Sequence, residues 1–205
     1  MKRFLLILFI TILTTAMIIA FFPLVEANGI YEQVIRLHVI ANSDSDEDQQ
    51  LKLHVRDEVL DRIGVIVDGC EDVSEAYNAI NDNLDLLESS AKDAVAEYGY
   101  QYNVKTLLTN EYYPTKEYEE VTLPSGEYIS LRVIIGEGKG KNWWCVLYPP
   151  LCTGSASVKE ELSETGFTPS QIRLITDSED SEYRVRFKIV EFFSDVKYRF
   201  KKLFS

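Results

Sequence analysis

Both tryptophans, a diproline and two of the three cysteines of this chain fall within residues 142–152, Asn142-Trp143-Trp144-Cys145-Val146-Leu147-Tyr148-Pro149-Pro150-Leu151-Cys152. So much rigid, apolar and covalently reactive chemistry excludes a flexible linker and predicts a fixed surface or a stapled loop. The segment follows Gly136-Glu137-Gly138-Lys139-Gly140, which reads as a hairpin turn feeding a strand. A phosphate-binding loop is the weaker reading of these glycines. It would need Gly-Lys-Ser/Thr opening a helix, whereas Asn142-Trp143-Trp144 runs on as strand-like sequence.

What the cysteines mean depends on the compartment, and the other end of the chain speaks to that. Lys2 and Arg3 precede an uncharged apolar run over 4–25, and Val25-Glu26-Ala27 places small residues at the −3 and −1 positions of a signal-peptidase site. Residues 1–27 therefore read as a signal peptide. An uncleaved membrane anchor is the alternative, because the run can cross ~30 Å of hydrocarbon at 1.5 Å per residue. In either case the basic start and the acidic exit put the body of the protein outside the cytoplasm. In an oxidising exterior Cys145 and Cys152 can form a disulfide, worth roughly 2–3 kcal/mol for so short a loop. Cys70 is then left as a partly buried free thiol, an intermolecular bridge, or an alternative partner for one of the other two. With no CxxC pair and only His38 and His54, both distant from the cysteines, a metal site is not indicated.

The chain has a formal net charge of −12. Removing residues 1–27 takes away Lys2, Arg3 and Glu26, leaving 19 basic and 32 acidic side chains and a net −13. That balance argues against a nucleic-acid partner. The remaining length suits one domain with its own core. We expect a globular domain over 28–180 and a basic amphipathic helix over 181–205.

Residues 34–40 are rich in β-branched side chains and predict a strand ending in the polar cluster 41–46. Ser45 and Asp48 resemble a capping box opening a helix over 47–66, with Leu51, Val55, Val59 and Ile63 on one face. A second helix is expected from Ser74 as N-cap to Gly99 as stop. The period then changes to strands near 102–113, 128–135 and 144–147, with a turn at Pro124-Ser125-Gly126. A short helix over 157–165 is expected to end at Gly166 and Pro169, and a last helix covers 182–204. The class is α+β: a small, mainly antiparallel sheet packed by two or more helices.

Few residues carry recognisable chemistry. The two histidines form no metal pair, and no Gly-x-Ser-x-Gly or His-Glu-x-x-His is present. Asp44, Asp46, Glu47 and Asp48 could hold calcium, but the cluster lacks the ligand spacing and glycine of an EF-hand, and helix capping explains it equally well. In a strand Trp143 and Trp144 point to opposite faces, so either both rings are mostly packed, or one enters the core while the other contributes to a partner surface. The last helix carries Arg184, Arg186, Lys188, Lys197, Arg199, Lys201 and Lys202 beside Phe187, Phe192, Phe193, Phe200 and Phe204. Such a helix can lie on an anionic membrane, or pack its phenylalanines on the domain and expose its charges.

Two segments carry a family resemblance. Ile35-Arg36-Leu37-His38-Val39-Ile40-Ala41-Asn42-Ser43-Asp44, followed by Leu51-Lys52-Leu53 and Val55-Arg56-Asp57, resembles the opening of stage II sporulation protein R. Residues 136–152, with Asn142-Trp143-Trp144-Cys145 and Pro149-Pro150-Leu151-Cys152, are similar to that family's second signature. The resemblance implies an exported signalling protein without cofactor, acting between forespore and mother-cell membranes. Its partner would be a membrane-embedded aspartic protease of the mother cell, which processes a sigma-factor precursor. On that reading the partner-binding residues are Arg36, His38, Asn42, Asp44, Trp143 and Trp144. The competing classes are a secreted cell-wall hydrolase using Asp44 and Glu47, and a membrane-anchored structural protein held by residues 4–25 and the basic tail.

Overall fold

The computed structural model describes residues 2–118, 120–151, 158–177 and 181–204, and within them all side chains except those of 18–28, 181–186 and 204. The chain forms two compact units. One comprises residues 32–111 and 127–167, the other 1–31, 112–126 and 168–205.

The first unit is organised by β1 (Ile35–Ile40), all six of whose residues are buried. A strand buried on both faces belongs in the middle of a sheet, and β1 sits there. The four-stranded sheet also contains β2 (Val104–Tyr113), β5 (Gly126–Ile135) and β6 (Asn142–Tyr148), in the order β2-β5-β1-β6. β1 pairs parallel with β5 and antiparallel with β6. The two strands on either side of the glycine stretch therefore flank β1 and do not pair with each other. Residues 136–141 are a bridge over the end of β1, and the expected hairpin is absent.

Three helices cover one face of the sheet. Leu51, Val55, Val59 and Ile63 of α2 (Asp46–Ile66) are buried, as their four-residue spacing predicts. They share a core with Ile35, Leu37 and Val39 of β1. The expected helix over 74–99 is instead two, α3 (Val73–Asp82) and α4 (Leu84–Glu97). The break has one local cause and one distant one. The Asn83 amide donates to the Ala79 carbonyl at 2.8 Å, and the Thr106 hydroxyl takes the Leu84 carbonyl at 3.2 Å. The N-cap is Asp72, two residues earlier than expected, accepting from the Ser74 and Glu75 amides at 2.8 and 2.9 Å. Gly99 stops α4 as expected, at φ +81 with Gly99 N–H on Ala96 O and Tyr100 N–H on Val95 O. α5 (Val158–Glu164) precedes Gly166.

The second unit contains α1 (Lys2–Glu32), the short antiparallel pair β3 (Lys116–Glu117) and β4 (Thr122–Leu123), α6 (Pro169–Thr176) and α7 (Ser181–Phe204). Pro169 was expected to close a helix and instead opens α6. It occupies the first helical position behind Thr168, whose hydroxyl and Gln171 complete a capping box. Ile30, Leu123, Leu174, Ile175, Phe187 and Val190 are buried. Tyr31 donates to Ser125 O at 2.9 Å and lies 3.1 Å from the Ser194 hydroxyl, with burial pushing its phenol up to about 12. In α1 the large side chains from Phe4 to Met17 are exposed. Among the described residues no helix is long and apolar enough to cross a membrane, and the side chains of the expected cleavage site lie outside them.

The observed cap separates two substitutions. Asp72→Ala should lower stability by about 1 kcal/mol, whereas Ser74→Ala should stay within about 0.5 kcal/mol. Urea unfolding of both variants, followed by tryptophan fluorescence, checks this.

Candidate functional site

The two distinctive segments of the sequence meet where β1 runs out. Asn42 follows the strand, and its side chain faces two ways. Its carbonyl oxygen accepts from Glu137 N–H at 2.9 Å, while its amide donates to the Asp48 carboxylate at 2.8 Å. Asp48 is buried in the first turn of α2 and also accepts from the Ser43 hydroxyl at 2.5 Å. Burial alone would raise its pKa. Hydrogen bonds from Ser43, Asn42 and Tyr102 outweigh that and hold the carboxyl below its ordinary value. Half of the expected capping box is present, since Ser45 accepts from Asp48 N–H at 3.2 Å. The Asp48 side chain turns to Asn42 and Ser43 instead of to the Ser45 amide.

Asp44 accepts from Lys141 N–H at 2.7 Å, and Gln49 donates to Ser43 O at 2.8 Å. Lys52, buried one turn further along α2, donates to Gln49 at 2.7 Å and to Lys141 O at 3.1 Å. Burial and the charges of Arg56 and Lys141 pull its ammonium below the ordinary value, against the raising effect of Asp44.

The glycine bridge is closed to anions by its own bonding. The amides of Gly136, Gly138, Lys139 and Gly140 donate to Asn103 O, Ile135 O, Asn42 O and Ala41 O respectively. Those of Glu137 and Lys141 go to Asn42 and Asp44. Every N–H from 136 to 141 is thus engaged within the protein, and none is left to cradle a phosphate. A Cβ at Gly140 would fall on the Ser43 carbonyl, and Gly136 has φ +59 with the Asn42 amide against it. The surface of this buckle is charged: Asp44, Lys141 and an exposed Glu137–Lys139 pair at 2.7 Å.

The opposite face of β1 carries a second polar group. Arg36 is buried with its guanidinium 4.9 Å from the Tyr128 ring centroid. His38 Nδ1 lies 2.9 Å from Glu111 on β2, which also accepts from Ser130 at 3.1 Å and pairs with Arg132 at 3.5 Å. Burial would raise the Glu111 pKa, but His38, Arg132 and Ser130 together hold it below the ordinary 4.5. Register puts Trp144 opposite His38, with ring centroids 5.7 Å apart, and Trp143 opposite Val39. Trp143 packs against the helix-side core under Arg56 at 4.8 Å. The two tryptophans do point to opposite faces, and both stand on the edge strand β6.

Of the residues singled out from sequence, Asn42 and Asp44 come together in the buckle, Arg36, His38 and Trp144 share the polar sheet face, and Trp143 lies on the other. Cys145 is buried on β6. Cys152 lies outside the described residues. Cys70 is a free, half-buried thiol. Lys52 and Glu111 were not singled out as working groups, and Asp48 was singled out only as a helix cap or calcium ligand. Asp48 and Lys52 carried a signal, for they share the helix face of Leu51 and Val55 and charges there must be buried.

Taken together these features define an α+β protein whose two unusual segments are hydrogen-bonded into one buckle at the end of a sheet. The chain belongs to the stage II sporulation protein R family, a family of sporulation proteins: the family model of that description matches residues 31–158, which include both segments. It is similar to stage II sporulation protein R of Bacillus subtilis (strain 168), with 34% identity over 183 residues, 80% of this chain and 82% of that protein. No solved structure matches it.

Two measurements check the site. Gly140→Ala should cost about 2–3 kcal/mol of stability through backbone overlap, read as a fall in urea midpoint. A carboxyl held below 4.5 stabilises the fold above that pH, and the contribution disappears as pH falls through the lower folded value. Glu111→Gln should therefore be less stable at neutral pH and show a flatter loss of stability below pH 4.5.

Proposed function

We propose that this chain is an exported sporulation signal that activates a membrane-embedded aspartic protease of the mother cell, which then processes the precursor of that cell's sigma factor. The supporting observation is the buckle. Its internal donors and acceptors hold each other, so what it offers outward is a fixed charged rim (Asp44, Glu137, Lys139, Lys141) beside the tryptophan strand. A preformed rim suits recognition by a protein, since little conformational freedom is lost on binding. Activation then requires that the rim bind one arrangement of the protease better than another.

On this reading residues 1–27 direct export, and a Cys145–Cys152 disulfide fixes the chain leaving β6. Arg36, His38 and Asn42 act from beneath, holding the surface in place. Asp44 and the Trp144 side of β6 take part in the contact itself, and Trp143 anchors the strand.

Co-expression in a non-sporulating host of the full chain, the protease and the sigma-factor precursor tests the proposal. Cleavage should require export of this chain. Lys139→Glu with Lys141→Glu, at exposed positions, should leave stability within about 0.5 kcal/mol and reduce cleavage at least about tenfold, the factor expected from losing about 1.4 kcal/mol of contact. Export-dependent cleavage unchanged in that variant would place the contact elsewhere. No cleavage with all three proteins folded and localised would overturn the activating role.

A further inference from the structure

The sequence leaves two roles open for the phenylalanines of the last helix, packing on the domain or contact with lipid. The structure divides them. One side of α7 belongs to its own unit: Phe187 and Val190 are buried, Glu191 accepts from Thr115 at 2.8 Å, and Asp195 accepts from the Tyr112 hydroxyl. Tyr198 stacks on Tyr112 with ring centroids 3.9 Å apart. On the opposite side Phe192, Phe193, Val196, Phe200 and Leu203 are 43–78 % exposed. At about 100° per residue these five fall in one stripe roughly 17 Å long, centred near Val196. A contiguous apolar stripe of that kind marks an interaction surface.

We propose that this stripe lies on an anionic lipid surface. The 3-4-3 spacing of Phe193, Val196, Phe200 and Leu203 suits a heptad seam as well as a lipid surface, so charge decides between a second copy of the chain and lipid. Lys197 and Arg199 stand on opposite flanks of the stripe, about 90° and 70° from its centre, while Glu191 and Asp195 are turned to the packed side. Two copies would set like charges against each other. An anionic headgroup layer complements them, and an aromatic stripe between basic flanks is the arrangement of an interfacial helix. The net −12 of the whole chain makes this local basic surface the part an anionic membrane would attract.

The test must read α7 itself, because α1 also exposes apolar side chains. Amide hydrogen exchange of peptides spanning 190–203 would be followed in the full chain with vesicles of phosphatidylcholine, with or without phosphatidylglycerol. We expect exchange to slow at least about tenfold only where phosphatidylglycerol is present. Lys197→Glu with Arg199→Glu should raise the phosphatidylglycerol vesicle concentration needed for half of that protection by at least about twenty-five-fold, at about fivefold for each basic residue removed. Val196→Ser with Leu203→Ser should abolish the protection, while peptides of α6 keep their exchange rates and so report an intact unit. Equal exchange with and without phosphatidylglycerol would overturn the proposal. So would protection that rises with protein concentration in the absence of vesicles, which would assign the stripe to a second copy.

Discussion

A single buried carboxylate organises the distinctive end of this fold. Asp48 cannot be buried as an ion without donors, and it recruits them from Asn42, Ser43 and Tyr102. Holding Asn42 in that position turns its carbonyl oxygen toward Glu137 N–H, which in turn sets the course of the glycine bridge across β1. The bridge delivers the chain to β6, and β6 carries both tryptophans and Cys145. The path from Asp48 to the tryptophan strand is therefore a series of hydrogen bonds, each depending on the one before it.

Much of this was readable in the residues, for reasons that differ by element. The four-residue spacing in α2, the β-branched run of β1 and the left-handed stop at Gly99 are local signals, and the structure bears them out. The hairpin expectation failed because strand order is not local. Nothing in residues 136–141 states that β1, a hundred positions earlier, lies between the two strands. The α3–α4 break was hidden for a similar reason, since the Thr106 hydroxyl that takes the Leu84 carbonyl comes from a distant strand. Pro169 shows an error of another kind. Proline ends one helix and opens the next with equal ease, and the signal that decides is the Thr168–Gln171 pair around it.

The candidate site was visible as composition but not as geometry. Asn42 and Asp44 looked like outward-facing groups at a strand end, yet both are engaged with the bridge. Arg36 and His38 alternate with apolar neighbours, as surface residues of a half-exposed strand would, but β1 is covered on both sides. Their alternation marks a division between an apolar core and a polar sheet face, where Glu111 gathers His38, Ser130 and Arg132. Only the pairing of β2, β5 and β1 brings those four together.

The half-buried thiol of Cys70 has a consequence for how the chain matures. Three cysteines allow three single bridges, and two of them would use Cys70. Its thiol is pushed above the ordinary value by partial desolvation and by the neighbouring carboxylates of Glu75, Asp72 and Asp68. Disulfide interchange proceeds through the thiolate, so Cys70 is a slow participant once α3 has folded beside it. The acidic start of that helix thus keeps the Cys70 thiolate scarce and slows any disulfide formed through that sulfur.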